Sequence, residues 1–144
     1  MDEPRWTKLK DGIVIKAKPE NSFWQEAYGF VRGPGILKIV ADGQWYYSTN
    51  FAGECSANGD LLSPFDSSRC IHQKAPVGSL IGRIGGSIAD KDPSAVFVVG
   101  SSCIKNLESN TAGPLFLTIN DMLTGFSDND GQVTVNISFA PATI

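Results

Sequence analysis

Glycine and proline interrupt this sequence so often that long helices are disfavoured and short strands are favoured. The 144 residues include 15 glycines and 8 prolines, and no stretch of about a dozen residues keeps apolar side chains at helical spacing without one of them. Short runs typical of β-strands lie between these turn residues instead. The predicted strands are residues 12–17, 27–31, 36–41, 44–47, 80–84, 95–99, 115–119 and 132–139.

The two strongest of these strand predictions alternate with a period of two. In 115–119 the odd positions are apolar and face a core, and in 133–137 the polar positions face solvent. Turn pairs such as Asp42-Gly43 and Asp130-Gly131 separate the predicted strands. About eight short strands at this spacing predict an all-β fold, a jelly-roll β-sandwich. Because there is no repeat and no linker, residues 1–144 are predicted to form a single domain.

Charge and hydropathy argue against two classes of function. The net charge is −3, whereas a domain that binds nucleic acid needs a basic surface to neutralise phosphates. No apolar run approaches the ~18–20 residues that span a bilayer. The hydrophobic content of 42% and the charged content of 19% are those of an ordinary globular domain. Residues 1–4 show no signal peptide, which is also what a mature exported chain would show.

The three cysteines, Cys55, Cys70 and Cys103, are compatible with a disulfide or with free thiols. Cys55 and Cys70 lie in one irregular stretch, 48–76, which is too long for an ordinary connection. A disulfide between them would stabilise the fold by roughly 3 kcal/mol by constraining the unfolded chain. We therefore expect a Cys55–Cys70 disulfide, with three thiols in a cytosolic protein as the alternative. A zinc site is not expected, because there is no C-x-x-C motif and only one histidine.

Residues 120–131 contain the clearest functional pattern. They separate two predicted strands and offer three carboxylates, two side-chain amides and several carbonyls within twelve residues. Calcium needs six to eight oxygen ligands at ~2.3–2.6 Å, and a loop folded over Gly125 can direct its oxygens to one point. An EF-hand is excluded, because the twelfth position counted from Asp128 is Phe139 rather than Glu. On these residues alone, a calcium loop and a polar hairpin loop with solvated carboxylates are equally supported.

The same region resembles a known lectin signature. The strings LFLTIND (115–121) and DNDGQVTV (128–135) are similar to the strand end and loop closure of the bacterial calcium-dependent galactophilic lectins, the LecA-like domains. Weaker similarity extends the resemblance to roughly 24–138, and its most distinct part is APVGSLIGRIG (75–85). The resemblance implies a galactose-binding-like lectin fold, no enzymatic activity, and a secreted or periplasmic location. Oligomerisation is left open.

The resemblance also assigns roles to individual residues. As calcium ligands it implies the side chains of Asp121, Asp128 and Asn129 and the backbone carbonyls of Tyr47 and Gly125. As sugar contacts it implies Asp121, Met122, Asp128 and Asn129. In this family two adjacent sugar hydroxyls complete the coordination of calcium. The implied partner is therefore a carbohydrate, a galactose-type or related sugar bound through vicinal hydroxyls on a Ca²⁺ ion.

Departures from the family pattern bear on the sugar and on the ion. Asp128 stands where the family has Asn, which adds a negative charge that favours calcium, and Gly125 replaces a residue with a side chain. The family's sugar-contacting His-Pro-x-Gln stretch has no counterpart, because His72-Gln73 has a different spacing. The choice between galactose and a related sugar therefore stays open.

Two other functions compete with carbohydrate binding. The alternative is a calcium-stabilised structural or interaction domain of a larger exported protein, without sugar binding. A glycosidase is disfavoured, because it needs two carboxylates ~5–10 Å apart and a calcium ion between Asp121 and Asp128 would occupy both.

Overall fold

The chain folds into two antiparallel β-sheets. The computed structural model describes residues 5–19, 23–48, 53–61, 70–85, 95–122 and 128–142. Within these residues the strands are β1 (Thr7–Lys16), β2 (Gln25–Arg32), β3 (Gly35–Tyr46), β4 (Glu54–Ser56), β5 (Leu80–Ile84), β6 (Phe97–Val98), β7 (Ser102–Leu107), β8 (Ala112–Ile119) and β9 (Asp130–Pro141). No helix in the described ranges is long and apolar enough to cross a membrane.

Strand β3 organises the first sheet, whose order is β1-β9-β3-β4 with β7 also beside β3. It pairs with β9 along its whole length, with β7 over its first half and with β4 over its last three residues. The second sheet has the order β2-β8-β5-β6. Strands β1 and β9 pair from Thr7 opposite Phe139 to Lys16 opposite Gln132. These two sheets confirm the predicted all-β jelly-roll sandwich.

The core is built from alternating apolar residues of the central strands. Apart from the polar Thr118, the fully buried side chains at 115–119 and 133–137 are Leu115, Leu117, Ile119, Val133, Val135 and Ile137. Burial of each such side chain contributes roughly 1.5–3 kcal/mol. The alternation predicted for 115–119 and 133–137 is therefore confirmed, and it fixes which side chains at the strand ends point outward.

The strand pattern differs from the prediction in three places. The predicted strands 36–41 and 44–47 are one strand, because Gly43 adopts a φ of +117° and stays paired with Val133 rather than forming a turn. Strands β4 and β7 were not predicted, and among the described strands both pair with β3 alone. The apolar Ile104 of β7 is 61% exposed, so its side chain does not mark a core face. The predicted strand 95–99 shortens to β6.

The cysteines are thiols, and the expected Cys55–Cys70 disulfide is wrong. Cys55 is buried on β4 and donates a hydrogen bond from Sγ to the carbonyl of Gly78 at 3.7 Å. Burial is the main reason that the pKa of Cys55 rises to about 12, so its thiolate is disfavoured. Cys70 is held instead by backbone pairing, since it forms a β-bridge with Met122.

Candidate cation site

Strand ends from both sheets meet at one end of the sandwich. Ala17 follows β1, Tyr47 follows β3, Asn129 precedes β9, and Asp121 lies two residues beyond β8. The register of β3 and β9, continued by one step, sets Tyr47 opposite Asn129. Four of the five predicted metal ligands therefore lie at this end of the fold, since Asp128 adjoins Asn129, and their segments belong to different sheets.

Asp121 is a buried carboxylate with one unsatisfied oxygen. The residue is 4% exposed, and its Oδ1 accepts a hydrogen bond from the N–H of Met122 at 2.7 Å. Its Oδ2 is buried and makes no hydrogen bond to the described residues. Burial raises the pKa of Asp121 to about 6, whereas the Met122 N–H and the Asn129 side chain oppose the rise. A charged Asp121 is therefore costly in this position unless something positive binds to it.

Asn129 presents a second buried acceptor beside the first. The residue is 3% exposed, and its Nδ2 donates to the carbonyl of Ala17 at 3.0 Å, which orients the amide. Its Oδ1 is buried and without a hydrogen bond in the described part of the chain. An unmet buried acceptor costs about 1–3 kcal/mol. Two such oxygens in adjacent side chains are what a hard cation would satisfy, so these residues fit calcium.

The second carboxylate of the predicted set lies near the first. Asp128 is half-buried, and its negative charge adds to the rise in the pKa of Asp121. Gly125, predicted to offer a carbonyl, lies outside the described residues. Among the residues that are described, no three His, Cys, Asp or Glu side chains form a metal-binding group. A cation here would therefore depend on two carboxylates together with amide and carbonyl oxygens, all of which calcium accepts.

Tyr47 and Met122, the remaining predicted site residues, are both held by hydrogen bonds of their backbone N–H groups. The N–H of Tyr47 donates to the carbonyl of Gly53 at 3.1 Å, and its hydroxyl donates to Asp60 Oδ2 at 2.7 Å. The side chain is thereby held in the interior, and the backbone carbonyl remains its predicted ligand group. Met122 is half-buried, and its N–H is engaged by Asp121. Its sugar contact remains a prediction.

Asn120 has a role that the sequence does not reveal. Its amide belongs to the same loop as the predicted ligands, but it is fully buried and binds the segment 72–76 instead. This bonding brings His72 beside the site, although the spacing of His72-Gln73 departs from the lectin pattern. No local signal separates the roles of Asn120 and Asn129, because both are buried beside the end of an apolar strand.

We expect the metal-free protein to lose stability as the pH rises from about 4 to above 6. The folded pKa of Asp121, about 6, exceeds its ordinary value of 3.8. Between these values the folded state holds a proton that the unfolded chain has lost, so the stabilising contribution is complete at low pH. It is lost as the pH rises through the folded pKa, by roughly 3 kcal/mol in total.

Urea denaturation in a chelator, across this pH range, measures the effect. The matched variant is Asp121→Asn, which keeps the shape of the side chain but cannot titrate. Subtracting its pH profile from that of the wild type isolates the contribution of Asp121 from all other carboxylates. Parallel profiles for the two proteins would contradict the expectation.

Comparisons with known proteins show the fold. No family model matches this sequence, and no curated protein matches it. Among solved structures, the chain is similar to a domain described as the EclA N-terminal domain, a PllA-like lectin, with a TM-score of 0.66 and 17% sequence identity. The alignment covers 92% of this chain and 97% of that domain. The chain has the fold of a lectin domain. Membership of the LecA-like family and calcium dependence remain predictions.

Proposed function

We propose that this domain binds carbohydrate in a calcium-dependent manner and has no enzymatic activity. The observation that supports the proposal best is a pair of buried oxygens, Asp121 Oδ2 and Asn129 Oδ1, that make no hydrogen bond within the described ranges of the chain. The side chains of Asp121, Asp128 and Asn129 would hold the ion together with the backbone carbonyls of Tyr47 and Gly125. When bound, calcium supplies open coordination positions for two adjacent hydroxyls of a galactose-type or related sugar.

The residues around the ion would orient the sugar. Asp121, Asp128 and Asn129 offer acceptor oxygens to hydroxyl groups. The hydrogen bonds to the two carboxylates would be charge-assisted and stronger than the neutral one to Asn129. Met122 would contribute contact surface next to Asp121, since it is half-buried. The burial of Asp121 and Asn129 keeps bulk water away from one side of the site. A location outside the cytoplasm completes the proposal, and it is supported by the sequence resemblance alone.

Calcium should raise the thermal stability of the protein, and a chelator should reverse the effect. Binding to the folded state alone contributes about 2.7 kcal/mol when free calcium is ~100 times the dissociation constant. Protein stripped of metal is titrated with calcium while the melting temperature is followed. Magnesium at the same concentration is the control, because it demands a smaller octahedral site. An unchanged melting temperature over the whole titration would rule out a cation site.

A glycan array tests whether the protein binds carbohydrate and whether this binding needs calcium. The wild-type protein is applied in calcium and again in excess chelator, and binding to neutral glycans is expected only in calcium. Signals that persist unchanged in chelator would contradict calcium dependence but not carbohydrate binding. The set of bound glycans then identifies the sugar that the sequence leaves open.

The second candidate is a calcium-stabilised structural or interaction domain. The same two buried oxygens favour it, because a cation would satisfy them whether or not a sugar follows. The two candidates differ in one result. Calcium that raises the melting temperature while the array stays blank under all conditions would select the structural domain.

A further inference from the structure

We propose that Asn120 is the positioning residue of this site, and that it holds Asp121 and the segment Cys70–Ser79 together as one rigid unit. The inference rests on the proposed cation site. It adds a residue that would contact neither the ion nor the sugar. Asn120 acts through its neighbours in sequence and through the segment that its side chain binds.

The side chain of Asn120 is fully committed to this segment. Its Oδ1 accepts from the N–H of His72 at 2.8 Å. Its Nδ2 lies within hydrogen-bond distance of the carbonyls of His72, Ala75 and Pro76, at 3.0, 3.1 and 3.2 Å. Asn120 is 0% exposed and Ala75 is buried, whereas His72 and Pro76 are half-buried. Buried hydrogen bonds that are all satisfied specify one arrangement, because any other leaves a polar group unmet.

The backbone on both sides of Asn120 continues the same attachment. The N–H of Asn120 donates to the carbonyl of Ser79 at 2.7 Å, and its carbonyl accepts from the N–H of Gly78 at 2.7 Å. One residue further, the carbonyl of Asp121 accepts from the N–H of Ile71 at 3.1 Å. The backbone around Asp121 is therefore hydrogen-bonded to both ends of the segment, at Ile71 and at Gly78 and Ser79.

This arrangement decides where the carboxylate of Asp121 can be. The side chain is tied to its own neighbour through the bond between Oδ1 and the N–H of Met122, so its Oδ2 direction follows the local backbone. A site that binds a ligand requires its groups to be held within about 0.5 Å, which takes support from residues behind it. Asn120 provides that support, because without its amide the segment 72–76 loses four hydrogen bonds to the end of β8.

The test compares Asn120→Ala with wild type by two measurements. Amide hydrogen exchange is followed in metal-free protein, and calcium affinity is measured by titration calorimetry. We expect the protection of the Ile71 and Met122 amides to fall at least tenfold further than that of amides in the middle of β9. We also expect the calcium dissociation constant to rise at least tenfold.

The control is Val135→Ala, which truncates a fully buried core side chain in the middle of β9, where Val135 pairs with Ile13 and Ala41. It should lower global stability while leaving the calcium dissociation constant within twofold of wild type. If Asn120→Ala does not fold, Asn120→Ser, which keeps a hydroxyl at this position, is measured in the same way.

Two results would overturn the proposal. One is a calcium affinity in the Asn120 variant within twofold of wild type. The other is protection of Ile71 and Met122 that falls no further than protection in β9. If the wild type itself binds no calcium, the proposed function fails. The exchange measurement in metal-free protein then decides alone whether Asn120 orders Asp121.

Discussion

Replacing Asp121 by alanine is expected to abolish calcium-dependent glycan binding while leaving the fold intact. The substitution removes a buried carboxylate that would bind the ion and accept hydrogen bonds from the sugar. Each lost charged interaction is worth about 1.5–3 kcal/mol, so affinity should fall by roughly a hundredfold or more. Because monosaccharide binding by lectins is weak at the outset, the array signal should disappear. The calcium-induced rise in melting temperature should disappear with it.

Asp130→Ala is the matched control. Asp130 is exposed, and its Oδ1 accepts from the N–H of Gly131 at 2.8 Å, so the side chain is bound to the backbone at the start of β9. Glycan binding should change less than twofold in this variant, which also keeps the change in charge the same. Glycan binding that survives Asp121→Ala, or that is lost in Asp130→Ala, would show that the ligand assignment is out of register.

Gly78→Ala is expected to destabilise the protein by about 3–5 kcal/mol. Gly78 has a φ of +86°, which disfavours any residue with a Cβ. An added Cβ would also lie 2.5 Å from Cys55 Sγ and 3.1 Å from Tyr47 Cδ1, both of which are buried. The carbonyl of Gly78 accepts from Trp45 Nε1 at 2.7 Å, so a shift of this peptide would also break a buried hydrogen bond.

Gly12→Ala separates the two causes of that loss. Gly12 has a φ of +69°, but an added Cβ would have no atom within 4 Å. Only backbone strain remains, which costs roughly 1–2 kcal/mol. Urea denaturation of both variants gives the comparison. Equal losses in the two proteins would mean that the packing around Gly78 can yield.

The regular part of the fold could be predicted because its sequence signal is local. In 133–137 each buried apolar residue is followed by an exposed polar one, and in 115–119 the aliphatic core residues occupy every second position. This period of two is visible without any knowledge of partners. Strand β7 has no such signal, since its position comes from pairing with β3 and its Ile104 faces outward. Asp42-Gly43 predicts a turn, but Gly43 lies within β3 and pairs with Val133. The residue types alone do not distinguish the two, because an Asp-Gly pair can occur in either setting.

The candidate site divides in the same way. The position of Asp121 could be predicted, because it follows a strand whose apolar face is fixed by the core. The residue is indeed buried. The neighbouring Asn120 could not be assigned, because its partners lie 44–48 residues away along the chain. The predicted disulfide is wrong for a related reason. A disulfide was expected between Cys55 and Cys70, whereas Cys70 pairs through its backbone with Met122, a distant partner that composition does not encode.

The pairing of β1 with β9 places the start of β1 and the end of β9 at the end of the sheet that is far from the candidate site. Thr7 and Phe139 lie together at the end of the sheet opposite Lys16 and Gln132, which adjoin the candidate site. Ten residues of β1, at ~3.3 Å each, separate the two ends by roughly 30 Å. A surface or scaffold joined before β1 or after β9 would therefore leave the site facing away from it. Several copies tethered in this way would present their sites outward, and the length of the tethers would set their effective concentration for a multivalent glycan.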